Sequence, residues 1–387
     1  MPYIQRVISV CANNTGAFGA IRVHFKPKPI TVHGNTLAED LADIQPYLRF
    51  ISASVDGRLA SRLSPPSANS SLGRSFSPNF EDEDEGDVTV QQDVKGLLHL
   101  CNLLAHEKES RRGPNGHLLF EGIPLPNGAD VMVHVQSGAA FPVHRVMLAA
   151  RSSVLCAILA GSKVIQDQQS NISIRLLHGK NLPSTTLTRL AFTGCHAMSV
   201  LILLRYLYSD ELLASWDPRL IMALEQPFRD AKVKPAQVKL DLQALARILN
   251  LHLLAQALES PSKRTPAPSI VRDMNHLFHE SQAAKSPGSP TSRNFPLAPD
   301  VILQLADKEV YCHSTILRAR SVFFACFFDE EDWTVKRWDA NGTITIDMTH
   351  MRWRVMQFVL GFLCCGGDEE LFDTLGMLSL QGRLGYN

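Results

Sequence analysis

The chain has no surplus of charge: 38 lysines and arginines balance 38 aspartates and glutamates over 387 residues. That balance gives no basic footprint for nucleic acid and no net pull toward anionic membranes. No CxxC pair occurs among the eight cysteines, so zinc ribbons and thioredoxin-type redox motifs are not indicated. Cys156, Cys195 and Cys326 sit in apolar phrases and read as small buried hydrophobes of a reducing compartment. The longest largely apolar run, Val355 to Cys365, falls short of the about 20 residues that cross a bilayer. The N-terminus lacks the basic start, apolar block and small-residue cleavage site of a signal peptide. The expectation is a cytoplasmic or nuclear soluble protein. Around His99 and His106 no carboxylate or cysteine recurs at metal spacing, and the pair His276 and His279 is read as lacking a further ligand, so neither metal nor cofactor is expected.

What the chain does have is one phrase written twice. "ADVMVHVQSGAAFPVHRVMLAARSSVL" aligns with "PDVILQLADKEVYCHSTILRARSVFF". His144 and His313, Leu148 and Leu317, Arg151 and Arg320, and Ser152 and Ser321 are each 169 residues apart, while Asp130 and Asp300 are 170 apart. A one-residue indel in the intervening turn accounts for the slip. Val131, Val133 and Val135 alternate, as do Val301, Leu303 and Leu305, and period two makes a half-buried strand. "FPV" or "VYC" returns as the second strand. Leu148, Ser152 and Leu155, like Leu317, Ser321 and Phe324, then fall on one helix face. Each copy is a hairpin feeding a buried helix.

The histidine stands where strand becomes helix, a place where its ring can bond backbone groups left unpaired by the change of direction. Catalysis would need a nucleophile and an orienting group at matching positions. Cys312 adjoins His313, but Val143 holds that place in the first copy. His144 and His313 are therefore read as structural, and no residue is assigned to chemistry.

Residues 1–32 predict a β-hairpin turning at Asn13 and Asn14. Residues 53–87, rich in serine and proline and ending in an acidic run, predict a disordered linker, as do residues 261–294. Between them, Val94, Leu97, Leu98, Cys101 and Leu104 predict an amphipathic helix over 88–108. Residues 209–240 show no clear periodicity and predict a surface insertion.

The phrase Asp-Val-apolar-x-apolar, followed by His-Arg-x-x-Leu-Ala-Ala-Arg-Ser, resembles the BTB/POZ domain. "MSVLILLRYLYSDEL" and "DLQALARILNLHLLAQALES" are similar to that family's later helices, and "NGTITIDMTHMRWRVMQFVLGFLCCG" supplies a counterpart in the second copy. The resemblance implies an α+β fold with two BTB/POZ-like domains, over 120–260 and 295–387, the second incomplete because no closing helical pair follows. Its absence is expected to leave the face of Trp353, Phe358 and Phe362 uncovered. Two such domains after a β segment resemble the C-terminal part of proteins similar to the inhibitor of Bruton tyrosine kinase, which implies that 1–32 is the end of a propeller.

Further implications concern partners. Family members dimerise through a charged pocket, to which Asp130 and Arg145 correspond. In the second copy Ser314 replaces the basic residue, so Asp300 is expected to cap a helix or face water, and the two copies could pack on each other. Members that recruit cullin-3 carry an apolar-x-Glu phrase after the buried helix, matched by Phe328, Asp329 and Glu330. The resemblance thus implies a non-enzymatic adaptor of a cullin-3 ubiquitin ligase, or alternatively a self-associating scaffold.

Overall fold

The computed structural model describes residues 7–15, 18–22, 35–48, 85–110, 125–162, 165–166, 169–177, 187–283, 296–330, 334, 337–339 and 342–366. It falls into two units, one holding the N-terminal hairpin and the other spanning Asn35–Gly366. In the first, β1 (Val7–Ala12) pairs antiparallel with β2 (Phe18–Arg22), with a register shift between Val7 and Ser9. Asn13 shapes the turn by accepting the Thr15 amide at 3.1 Å. Residues 23–32 of the expected hairpin segment lie outside the described residues.

The larger unit opens with α1 (Leu37–Asp43), closed at its start by a Thr36–Glu39 capping box. Next described is α2 (Glu85–Ser110), which begins three residues before the expected 88 and takes in the end of the acidic run. The rest of the 53–87 linker lies outside the described residues. The first repeated phrase forms β3 (Val131–Val135), β4 (Ala140–Val143), α3 (Arg145–Arg151) and α4 (Ser153–Leu159). After β5 (Ile165–Gln166), β6 (Ser173–Leu176) and β7 (Thr188–Thr193), the sheet order is β4-β3-β7-β6-β5, with β3 and β7 parallel. Helix α5 (Ala197–Ser209) is buried almost all round.

The segment after α5 corrects the expectation of a surface insertion. Helices α6 (Pro218–Ala223) and α7 (Glu225–Asp230) bury Leu212, Leu213, Trp216, Leu220, Leu224 and Phe228 in the domain core, against α2. Short helices hide their periodicity: Leu220, Leu224 and Phe228 recur every four residues, across a break between the two. Helices α8 (Pro235–Ile248) and α9 (His252–Leu258) then close the domain.

A second correction falls in the expected linker 261–294. Helix α10 (Ile270–Ala283) occupies its middle, with Ile270, Met274, Leu277, Phe278 and Ser281 buried along one stripe. Serine and proline on either side masked that stripe in a compositional reading. Residues 284–294 lie outside the described residues.

The second phrase forms β8 (Val301–Leu305), β9 (Glu309–Cys312), α11 (Ser314–Arg320) and α12 (Val322–Asp329), followed by β10 (Ile344–Met348) and α13 (Trp353–Cys365). The sheet order is β10-β8-β9, the first three strands of the other domain repeated with the same parallel and antiparallel pairings. Cap geometry matches closely: His144 has φ −94° and ψ 129°, and His313 has φ −113° and ψ 126°. Ser152 and Ser321, each between two helices, have φ −145° and −142° with ψ 116° in both. The one-residue slip sits in the hairpin turn, closed by Val135 N–H to Ala139 in one copy and Leu305 N–H to Lys308 in the other.

The domains share apolar core. Val146, Met147 and Tyr208 of the first pack in one cluster with Leu37 and Leu41 of α1, Ile270, Met274 and Leu277 of α10, and Ile316, Leu317 and Leu360 of the second. The two copies therefore do pack on each other, through α1 and α10.

Candidate docking surface

The histidine of the first copy is held on three sides. Its backbone N–H donates to the Tyr208 hydroxyl at 2.9 Å, Nδ1 lies 2.8 Å from that hydroxyl, and Nε2 lies 2.8 Å from the Asn127 carbonyl. A carbonyl can only accept, so Nε2 carries the proton, and Tyr208 donates to Nδ1. Burial pushes the His144 pKa down to about 4. Because this folded value lies below the about 6.5 of an unfolded histidine, the stabilisation is complete above that pH. It is lost as pH falls from about 6.5 toward 4, where the unfolded chain binds the extra proton. Denaturant titrations should lose about 1 kcal/mol between pH 6.5 and 5.5, and His144→Gln should flatten that slope. Tyr208→Phe strands a buried N–H and a ring nitrogen and should cost about 2 kcal/mol in the same assay.

In the second copy His313 Nε2 faces the Leu297 carbonyl at 3.2 Å, and burial lowers its pKa against an opposing pull from Asp300. At the place of Tyr208, twelfth residue of its helix, stands Cys364. Hydrogen bonding with Cys312, and then burial, hold its thiol well above the ordinary range. Cys312, weighed above as a nucleophile, is itself buried. Among the described residues no group of three or more His, Cys, Asp or Glu could hold a metal ion, and no helix is long and apolar enough to cross a membrane.

Asp130 and Arg145 lie together. The carboxylate accepts the Arg145 amide at 2.7 Å and lies 3.2 Å from Nε, while the guanidinium donates to Thr188 at 2.7 Å. In the second copy Asp300 takes the same capping role, accepting the Ser314 amide at 2.7 Å and its hydroxyl. The first-copy site faces the second domain: the Arg318 guanidinium lies beside Gly128, two residues before Asp130.

The residues that join the domains were only half visible in the sequence. Arg151 and Arg320, recognised as matched, each end the first helix of their copy. Arg151 is bonded to Asp210 and Asp273, to the Ser269 hydroxyl at 2.7 Å and to the Leu207 carbonyl at 3.1 Å. Asp210 in turn accepts the amides of Ser269 and Ile270, at 2.7 and 2.8 Å, and so caps α10. Arg320 is bonded to Asp40 and to the Asn35 carbonyl at 3.0 Å. Asp40 and Asp273 each stand fourth in their helix. Each domain's arginine thus grips a helix that lies N-terminal to the other domain in sequence. No signal in the repeated phrase pointed to Asp40, Asp210 or Asp273, because these partners lie outside it.

The apolar-x-Glu phrase divides. Phe328 is buried, stacked on Phe324 at 6.0 Å and tilted against Trp338. Asp329 is exposed and ion-paired with Arg318. Glu330 is exposed at the end of α12. Of the face expected to lie open, Trp353, Phe358 and Phe362 are half-buried, whereas Val355 and Val359 of the same helix are exposed.

Comparison with known proteins agrees with this geometry. The BTB/POZ domain matches residues 126–229 and 291–370. BTB/POZ domain-containing protein 1 of Schizosaccharomyces pombe is 26% identical over 381 residues, covering 96% of this chain. The chain spans 23% of that relative's length. The doubled hairpin, caps and helices agree with these matches: the chain has an α+β fold with two segments that match the BTB/POZ domain, a module of protein–protein interaction.

Proposed function

We propose that the chain is a substrate adaptor for a cullin-3 type ubiquitin ligase, working in the cytoplasm or nucleus and related to the C-terminal part of proteins similar to the inhibitor of Bruton tyrosine kinase. In this reading the chain does no chemistry; it bridges a cullin and a client. The observation that carries it is Glu330, exposed at the end of α12 with Phe328 fixed beneath it. Purified full chain should capture the N-terminal domain of cullin-3, and Glu330→Lys should weaken capture at least about tenfold, about 1.4 kcal/mol, with no change in melting temperature. Equal capture by wild type and Glu330→Lys, or none by either, overturns the reading and leaves a scaffold.

A further inference from the structure

The matching helices α5 and α13 have thirteen residues each and end on a left-handed residue, Asp210 at φ 59° and Gly366 at φ 63°. In the first domain α8 lies across this helix. The third residue of α5, Ser199, is buried and donates to Asp241 Oδ2 of α8 at 3.0 Å. The amide of His196, the cap of α5, donates to the same oxygen at 2.8 Å. Asp241 stands mid-helix in α8, and at the helix's C-terminal end the Leu249 carbonyl accepts from the Ser152 hydroxyl at 2.9 Å, at the start of α4. The second half of α8 therefore runs from the N-terminus of α5 to that of α4; Ser199 and, one turn on in α5, Leu203 are both 0% exposed.

Among the described residues, no helix lies across the same face in the second domain. The third and seventh residues of α13, Val355 and Val359, are 53% and 42% exposed. At the start of α12, Phe323 is 68% exposed and stacks on Phe327 at 6.2 Å. Where His196 and Met198 stand in the first domain, the second has Arg352 and Arg354, both exposed. Exposed positive residues thus flank the start of α13, where in the first domain the start of α5 is met by the Asp241 carboxylate. Asp307 accepts the Trp353 amide at 2.8 Å, and Lys308 lies over the Trp353 ring.

We propose that this face receives an amphipathic helix of a partner protein, with apolar residues spaced like Val238, Leu242, Leu245 and Leu249 and a carboxylate set against Arg352 and Arg354. A second copy of the chain cannot supply its own α8, because Leu242, Leu245 and Leu249 are already fully buried at home. The proposal goes beyond cullin capture and does not depend on it.

The probe is a fluorescein-labelled, helix-stapled peptide of the sequence of residues 235–251, titrated with the full chain and read by fluorescence anisotropy. Saturable binding is expected, weakened at least about tenfold by Val359→Asp and by Arg352→Glu with Arg354→Glu. The arginine effect should vanish when the peptide carries Asp241→Asn. All replaced positions are exposed, so melting temperatures should hold. No saturable binding, or equal binding by the Val359→Asp chain, overturns the proposal. So does self-association in sedimentation that Val359→Asp abolishes, since the occupant would then be a second copy.

Discussion

Arg151→Ala should destabilise the chain by about 3 kcal/mol, near the lower end of the about 3–5 kcal/mol range for removing one partner of a buried ion pair. The Arg151 side chain is 2% exposed, and Asp210 and Asp273 face it at 7% and 16%. Without the guanidinium, the charged neighbour left to Asp273 among the described residues is the exposed Arg272. Asp210 keeps the two amides of the α10 start, which is why the loss should not reach the top of the range. Arg151→Lys restores charge but not the forked geometry that reaches two carboxylates and a carbonyl, so it should recover only part. Urea unfolding checks this, and a loss under about 1 kcal/mol would mean that the network behaves like an exposed pair. Because α10 touches both domains, hydrogen exchange should quicken across α10 and the neighbouring face of the second domain, not only around residue 151.

The second large effect concerns Phe328. Phe328→Ala should cost about 3–5 kcal/mol, the usual range for deleting a buried phenylalanine. Its ring contacts Phe324, Phe327 and Trp338, and the Arg318 guanidinium lies 5.4 Å from its centre. Phe323→Ala, five residues earlier on the same helix, removes an equal ring from an exposed position and should stay within about 0.5 kcal/mol. The contrast separates burial from aromatic content. Similar losses for both would show that α12 does not sit as described. It also means that lost cullin capture by Phe328→Ala would report unfolding, and Glu330→Lys is the variant to use.

Phe328 also marks what could be read in the sequence. Leu317, Ser321 and Phe324 fall on one helix face, and Phe328 continues that face by four residues. Read by phase, it was a core residue; read by a three-residue motif, it was a contact. The strands, the hairpin slip and the two capping histidines were legible because alternation and helical period are local. Asp300 is expected to cap a helix or face water because a buried lone carboxylate is costly, and it accepts the Ser314 amide. Helix α10 was not legible, since five buried positions were outweighed by the serine and proline around them. The partners of Arg151 and Arg320 were not legible either: they depend on which helix the other domain brings near, and no local pattern encodes that.

The crosswise grip of the two arginines bears on how this molecule can be divided. A cut between 284 and 295 leaves both bridging helices with the N-terminal portion and strips the C-terminal portion of the surfaces that α1 and α10 supply. Released separately, the C-terminal piece should be insoluble or unfolded; mixed with the other, it should regain structure by complementation. The tandem would then inherit its parts as one heritable block, since loss of either half disables what remains.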